Sequence, residues 1–546
     1  MNTKKRILFS GEASWLSTGF ATYNKELIRR LHATGKYEIA EVGSYGSSAA
    51  AEAKNLPWKF YGILPLTKEE ERIYKSNPVN AFGPYKFDAV VADFQPDIVF
   101  DARDPWMVTH IISSRFKDCY KTILVPTVDS APYKREWIKD TFAKSEILCT
   151  YSRYGKRIME GEKLSVANVI SPGVDLDVFK PIDKEAIRRE WGLKKGLMII
   201  GTVMRNQRRK LFPDLFEAYA EMRNKYRKVD EVNRSVLLCH TSWPDVGWDL
   251  PELLYRNNVQ RHVIFTYKCG DCKKIFFSWF LPSDGEGCGQ CIFCGKMSAR
   301  MPSTVDGVTT KELSEIYNLM DVYIQPAICE GWGLPIAEAK ACGIPGLYSN
   351  YSAMEDHVEN GGGLPIKIGR FYTEPETMAV RSLPDISDMA DKMKYMLVNE
   401  DIRIKMGKDA RAVAEKMHSW DLAAKRLESI IDVLDILERK NTWGRRPQIK
   451  IITAQRFHPE MTNDQFVTWC YKNILCREPD EKGFHDWTKN LVRGQSRESV
   501  EQFFRNEAEA HNEFEEIRWK NSLLMKGVDL NAGITVETDR PPGMMI

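Results

Sequence analysis

The sequence predicts an α/β protein built from two successive parallel-sheet domains, and three observations predict it. Short apolar runs alternate with helix-length amphipathic segments along most of the chain. The alternation breaks at a turn-rich stretch, Ser171-Pro172-Gly173-Val174-Asp175, and then starts again. At 546 residues the chain has room for about three to five domains, each large enough to bury a core.

In the first series the apolar run 7–9 leads into a small-residue loop, after which Phe20, Tyr23, Leu27, Ile28 and Leu31 recur at helical spacing. The runs 98–100, 123–125 and 147–149 read as buried strands separated by helix-length segments. The second series has strands at 197–203, 235–239, 263–266 and 322–324, with helices at 184–191, 215–226, 311–320 and from 334 onward. Residues 1–178 and 179–418 are therefore expected to be the two α/β domains. Residues 420–437 carry Leu422, Leu427, Ile430, Ile431, Leu434 and Leu437 at helical spacing, which predicts a long amphipathic helix within a crossover segment, 419–438.

Between 439 and 459 there are six Lys or Arg and no acid, with Gly444 and Pro447 inside, so 439–458 reads as a basic linker. Residues 459–528 are expected to form a small helical module: Thr462-Asn463-Asp464 caps a helix bearing Phe466, Trp469, Cys470 and Ile474. Phe484, Trp487 and Leu491 repeat the spacing. The tail 529–546 reads as disordered.

The 78 basic and 75 acidic residues leave a net charge of +3, which argues against a protein that simply coats nucleic acid. An apolar fraction of 43% argues against intrinsic disorder. Residues 457–517 hold 13 acids against 7 bases, which disfavours DNA as a partner of the helical module. No stretch approaches the roughly 18 apolar residues of a spanning helix, so the chain is expected to be soluble and cytoplasmic, with no membrane span.

The most specific segment is Glu330-Gly331-Trp332-Gly333-Leu334-Pro335-Ile336-Ala337-Glu338. A carboxylate precedes a glycine-rich strand-to-helix turn, and a second carboxylate follows about two turns into the new helix. Exposed amides at such a helix start favour a phosphate or sugar oxygen, and glycines let the backbone approach it. The plain alternative is a capped helix with a solvated glutamate. Upstream, Arg205 and Lys210 follow a strand, with Arg208 and Arg209 between them. Taken alone, such an Arg and Lys pair reads as surface charge.

The Glu330 string resembles the Glu-x7-Glu signature of glycosyltransferase family 4, retaining sugar-nucleotide transferases of the GT-B fold. The resemblance spans most of residues 5–437. It implies two Rossmann-like domains facing a cleft, 1–178 on the acceptor side and 179–418 binding the donor. It also implies a place for Glu330 near the donor sugar, for Glu338 on the nucleotide ribose, and for the amides of Gly331, Trp332, Gly333 and Leu334 beside the donor. Arg205 and Lys210 then face the leaving phosphate. Ser17-Thr18-Gly19-Phe20 stands in the place of the family's glycine loop, with Gly19 toward the donor. Asp129, in Val125-Pro126-Thr127-Val128-Asp129, stands where many members have a histidine. It either orients a substrate hydroxyl or caps a loop. Ser171 to Asp175 matches an interdomain signature, and Glu355 falls where the family often has another glutamate. The resemblance implies transfer of a hexosyl or related sugar with retention, without a catalytic metal.

Cys269-Gly270-Asp271-Cys272 is followed after eighteen residues by Cys291-Ile292-Phe293-Cys294. Two such knuckles put four thiolates around a tetrahedral structural Zn2+, with Cys288 as a substitute ligand. The site would stabilise a zinc-ribbon insertion, 267–304, within the donor domain, either bordering the cleft or as a peripheral ornament. The segment after 459 is similar to a helical domain of unknown function appended to bacterial surface proteins and glycosyltransferases, which implies binding or tethering. A glycan, a protein side chain, a lipid or a hydroxymethylated base in DNA are all compatible acceptors. The contrasting reading is a non-catalytic nucleic-acid-binding or glycan-binding protein that keeps the fold.

Overall fold

The computed structural model describes residues 4–282, 288–303, 306–375, 377–443, 461–475, 479–504 and 506–507. Most of the basic linker, and the tail after 529, lie outside the described residues. The chain divides into two compact units, one of residues 1–41, 99–112 and 122–435, the other of 42–98, 113–121 and 436–546.

The first seven strands are β1 (Lys5–Glu12), β2 (Tyr37–Ser44), β3 (Lys59–Gly62), β4 (Ile98–Asp101), β5 (Lys121–Leu124), β6 (Ile147–Thr150) and β7 (Asn168–Val169). In the first unit β1, β4, β5, β6 and β7 lie side by side in that order, with β5–β6 and β6–β7 parallel. Ile7, Leu8, Phe9, Ile98, Val99 and Phe100 are fully buried, as expected of strands covered on both faces. The helix Gly19–Ala33 starts at Thr18, whose hydroxyl accepts from the Ala21 N–H.

The second series follows as β8 (Met198–Val203), β9 (Ser235–His240), β10 (Val263–Cys269), β11 (Ile275–Ser278), β12 (Gly289–Gln290), β13 (Met297–Arg300), β14 (Val322–Gln325), β15 (Gly346–Ser349), β16 (Gly363–Ile366), β17 (Ile368–Thr373) and β18 (Val380–Pro384). Its main sheet runs β12-β13-β10-β9-β8-β14-β15-β16. Strands β8, β9, β14, β15 and β16 pair in parallel, as do β9 and β10. The ribbon strands β11 and β13 pair antiparallel with β10. The ribbon therefore extends the edge of the sheet, with β9 and β8 between β10 and β14. Cys269, Phe276, Cys291, Ala299 and Met301 belong to the same apolar cluster as Phe212, Phe216 and Phe265. The insertion thus shares the core of the sheet it extends.

The helix expected over 420–437 ends earlier. It spans Trp420–Val433, and Leu434 turns to an extended backbone. Lys5 supplies the stop, donating from Nζ to the carbonyls of Ile431, Asp432 and Leu434 at 2.6, 3.0 and 2.9 Å. A cation on the last carbonyls satisfies both their lone pairs and the helix dipole. The interdomain signature meets the start of this helix, where the Val174 N–H donates to the His418 carbonyl at 2.7 Å.

In the second unit, Arg439 pairs with Asp97, and Trp443 packs against Phe116 at 5.9 Å. Thr462 and Gln465 form a reciprocal capping box for the helix Asn463–Asn473. That helix and Glu481–Val492 bury Phe466, Val467, Cys470 and Leu491, with Val500 and Phe504 closing the cluster.

Candidate active site

Two strand ends of the second sheet build the site. After β8, Asn206 is fully buried and ties the turn to a neighbouring loop: its amide donates to the Trp248 carbonyl and accepts the Trp248 N–H, at 2.8 and 2.9 Å. The chain then makes a tight turn through Arg208–Lys210 and enters the helix Phe212–Lys225 by way of Leu211, whose φ of 45° is left-handed. After β14 the chain runs through Ile328 and Cys329 to Glu330. The Ile328 N–H donates to the Arg209 carbonyl at 3.0 Å, so the two turns are stitched together.

Glu330 is 5% exposed and fully engaged. Its Oε2 accepts from Arg209 Nη1 at 2.8 Å, and its Oε1 accepts from Gln325 Nε2 at 2.8 Å and from Lys210 Nζ. Its backbone N–H donates to the Ser352 hydroxyl, which returns a bond to the Glu330 carbonyl. Burial opposes the charge on Glu330, yet Arg209 and Lys210 outweigh it and hold its carboxyl down at about 2. Burial, and then the charge of Arg209, pull the Lys210 ammonium down to about 8 against the attraction of Glu330.

Arg205, expected beside Lys210, points elsewhere. It forms a forked pair with Asp245, 2.9 Å at each contact, on an exposed edge. Arg209 takes the position facing Glu330, because the tight turn at 208–210 swings the residue next to Lys210 inward. The signal was present as the run Arg208-Arg209-Lys210, which offers several cations to one turn.

The segment 331–334 follows Glu330 directly and leads into the helix Leu334–Ala341. The first helical bond is that of the Ile336 N–H to the Gly333 carbonyl, and the N–H groups of 331–334 donate to nothing among the described residues. A Cβ at Gly331 would stand 2.4 Å from the Thr127 methyl, and one at Gly19 would stand 3.8 Å from Leu334 Cδ1. Gly333 has φ 99°, open to glycine alone at low cost. Gly333→Ala is expected to destabilise by about 1–2 kcal/mol and to weaken donor binding by turning these amides. Thermal unfolding and nucleotide-sugar titration check it, and an unchanged melting temperature would count against the backbone assignment.

Glu338 lies four residues into the helix Leu334–Ala341, just over one turn and not two. It accepts from the Tyr317 hydroxyl at 2.7 Å, and burial pushes its carboxyl up to about 7 against that bond. Trp332 is buried, and its carbonyl meets His357 Nε2 at 3.1 Å. Glu355 sits away from this cluster in a part-exposed pair with Arg157.

Asp129 faces the same turn from the first series of strands. Its carboxylate pairs with Arg381 at 3.1 Å and accepts from the Ser130 hydroxyl and the Cys329 thiol. Arg381, from β18, also binds Glu374 at 2.8 Å and Cys329 Sγ at 3.0 Å. No local motif marks Arg381, because it reaches the site from a hairpin about fifty residues past Glu330. Beyond Asp129 opens a pocket lined by Asp104, Trp106, Tyr133, Trp137 and Arg381.

Residues 304–413 match the family described as Glycosyl transferases group 1. This stretch is a glycosyl transferases group 1 domain. The group 1 domain carries β14, Glu330, the amides of 331–334 and Glu338, whereas Arg209, Lys210 and Asp129 come from outside it. Residues 453–514 match a domain of unknown function, DUF4214. A D-inositol 3-phosphate glycosyltransferase of Corynebacterium jeikeium (strain K411) is 26% identical over 269 residues, 49% of this chain and 51% of that protein. The chain spans about half the length of the curated relatives it matches first. The sucrose-phosphate synthase structure from Thermosynechococcus elongatus aligns with a TM-score of 0.56 at 15% identity, over 79% of this chain and 98% of that one. The structure of HepE of Anabaena in complex with UDP and glucose gives 0.54 at 11% identity, over 79% and 100%. The group 1 domain thus belongs to a GT-B fold, as the Glu-x7-Glu string implied.

The four cysteines expected to bind metal come together. Cys269, Cys272, Cys291 and Cys294 place their sulfurs within 4.8 Å of one another, with 269–294 at 3.6 Å and 272–291 at 3.7 Å. Sulfurs at tetrahedral Zn–S distances stand about 3.8 Å apart, so the set fits Zn2+. Cys288 lies outside the set, and its sulfur accepts from Arg300 Nε at 2.6 Å. Among the described residues no helix is long and apolar enough to cross a membrane.

Proposed function

We propose that the chain transfers a hexosyl or related sugar from a nucleotide diphosphate sugar to an acceptor hydroxyl, with retention and without a catalytic metal. One observation carries this reading: Arg209 and Lys210 converge on buried Glu330, which is followed directly by a run of N–H groups that donate to nothing among the described residues. Cations and amides fixed around one spot suit a diphosphate whose charge grows as the glycosidic bond breaks. Glu338, one turn up the helix, suits the ribose hydroxyls.

In the proposed step the bond from the anomeric carbon to the phosphate oxygen breaks, and the acceptor oxygen bonds that carbon on the same face. The acceptor proton passes to the departing phosphate. Lys210 and Arg209 hold that phosphate, supplying the positive charge that a divalent ion supplies elsewhere. Glu330 holds both cations in place, and Asp129 is anchored by Arg381 next to the reacting region. Zn2+ in the four-cysteine set has a structural role: four sulfurs leave no open position. A reducing cytoplasm keeps such thiols available.

A thermal-shift screen with UDP-, GDP-, ADP- and dTDP-sugars tests the donor class. One family of sugars should raise the melting temperature, and NMR of the product should show retained configuration without added Mg2+ or Mn2+. No response to any nucleotide sugar would sink the reading. The pH profile adds a second check. Lys210 is cationic below its pKa of about 8, so kcat/KM should fall as pH rises through about 8, where that charge is lost. Lys210→Arg keeps a cation at alkaline pH, and in that variant the alkaline fall should disappear.

A further inference from the structure

Asp104, Trp106, Tyr133 and Trp137 all come from the segment 104–137 and wall the pocket beside Asp129. Trp106 and Trp137 stand 5.8 Å apart at 48°, and Tyr133 meets Trp137 at 5.8 Å and 67°. The Tyr133 hydroxyl donates to the Thr127 carbonyl, which fixes this ring on the loop that touches Gly331. Trp106 is 44% exposed while it lines the pocket, so part of this residue remains accessible. Two carboxylates, Asp104 and Asp129, line the same pocket. Arg381, the one cation among the described lining residues, is already shared between Asp129 and Glu374.

This chemistry differs from that around Glu330. There cations and free amides await an anion, whereas here aromatic faces and carboxylates await an uncharged polyol. A sugar ring presents C–H groups on its faces, which pack on indole, and hydroxyls on its rim, which donate to carboxylates. A phosphate monoester would meet Asp104 and Asp129 with no uncommitted cation among the described lining residues. Burial, and then the charge of Asp129, push the Asp104 carboxyl up to about 7, so near neutrality it can both donate to and accept from a hydroxyl.

Resting on the glycosyltransferase reading, we infer that this pocket holds the acceptor, and that the acceptor presents there a neutral sugar ring carrying no phosphate, seated on Trp106 and Trp137 and hydrogen-bonded by Asp104. Trp106 and Asp104 then set acceptor specificity, and Asp129 lies where the attacking hydroxyl points toward the donor.

The test uses the full chain saturated with UDP or whichever nucleotide the thermal-shift screen selects. Tryptophan fluorescence is titrated with a panel of neutral methyl hexosides and disaccharides and with the same hexoses bearing a phosphate. Neutral members should quench with millimolar or better affinity, and their phosphorylated counterparts should bind at least tenfold more weakly. Trp106→Ala and Asp104→Asn should each weaken neutral-sugar binding about tenfold or more while leaving nucleotide affinity unchanged, and Trp106→Phe should restore most of the loss. Tighter binding of the phosphorylated partners, no binding by any panel member, or indifference to both substitutions would each overturn the inference. Loss of nucleotide-sugar binding by the unaltered protein would instead sink the parent reading, so the two failures are told apart.

Discussion

Lys210→Ala is expected to lower turnover by about a thousandfold, the scale of losing a preorganised charge-stabilising group, while the protein still binds nucleotide. Lys210 is buried, and its ammonium lies on Glu330 Oε1 at the point where β8 hands over to the helix Phe212–Lys225. Removing it leaves Glu330 with Arg209 and Gln325, so the carboxylate keeps two partners. The complementary change, Glu330→Gln, leaves two adjacent cations with a neutral amide between them, and turnover should fall by a similar factor. Breaking a buried pair costs about 3–5 kcal/mol when the partner is stranded. Because Arg209 remains, Lys210→Ala should stay below that range, with a folded circular-dichroism spectrum. The double variant separates the two effects: if the pair acts as one unit, losing both should cost little more turnover than losing one. Near-normal turnover in purified Lys210→Ala would remove this cluster from the chemistry.

Cys291→Ser should drop metal content from one Zn2+ per chain to none and lower the melting temperature by about 8 °C or more, the scale of a few kcal/mol in a domain of this size. The expectation rests on where the ribbon packs. Cys291 is buried, and Phe276 and Ala299 belong to the apolar cluster beneath the sheet of β8, β9 and β10. Releasing the metal would free β11 and β13 from their fixed register on β10 and open that cluster to water. Cys288→Ser supplies the contrast. Its sulfur bonds Arg300 and not the other thiols, so the variant should retain the metal. Metal analysis and calorimetry on the two variants decide the matter; loss of zinc from Cys288→Ser, or its retention in Cys291→Ser, would reassign the ligand set.

How far these sites were legible follows from how local their determinants are. The Cys-x2-Cys spacing brings each pair of thiols to one tight turn, and the four sulfurs meet as the spacing implied. The Glu330 string likewise lies within a single strand–turn–helix, so its parts were readable together, although the late start of the helix shortened the reach to Glu338. The choice of Arg209 over Arg205 was hidden because it depends on a tight turn and a left-handed Leu211, in a residue type that carries no turn signal. Arg381 and the Trp106–Trp137 wall were invisible, since each is brought to the site by tertiary packing from a segment with no motif of its own. The end of the Trp420 helix was missed for the same reason: the lysine that caps it comes from the opposite end of the chain.

The pairing of one carboxylate with two cations bears on the proposed transfer cycle. Glu330 cancels one of the charges of Arg209 and Lys210 and leaves about one positive charge to meet the ligand. A nucleotide sugar brings about two negative charges on its diphosphate, and the nucleoside diphosphate left after transfer brings about three. The cradle thus attracts the spent nucleotide more strongly than the substrate it came from. The proposed transfer therefore predicts product inhibition by the nucleotide, relieved by raising ionic strength, with nucleotide escape pacing repeated turnover.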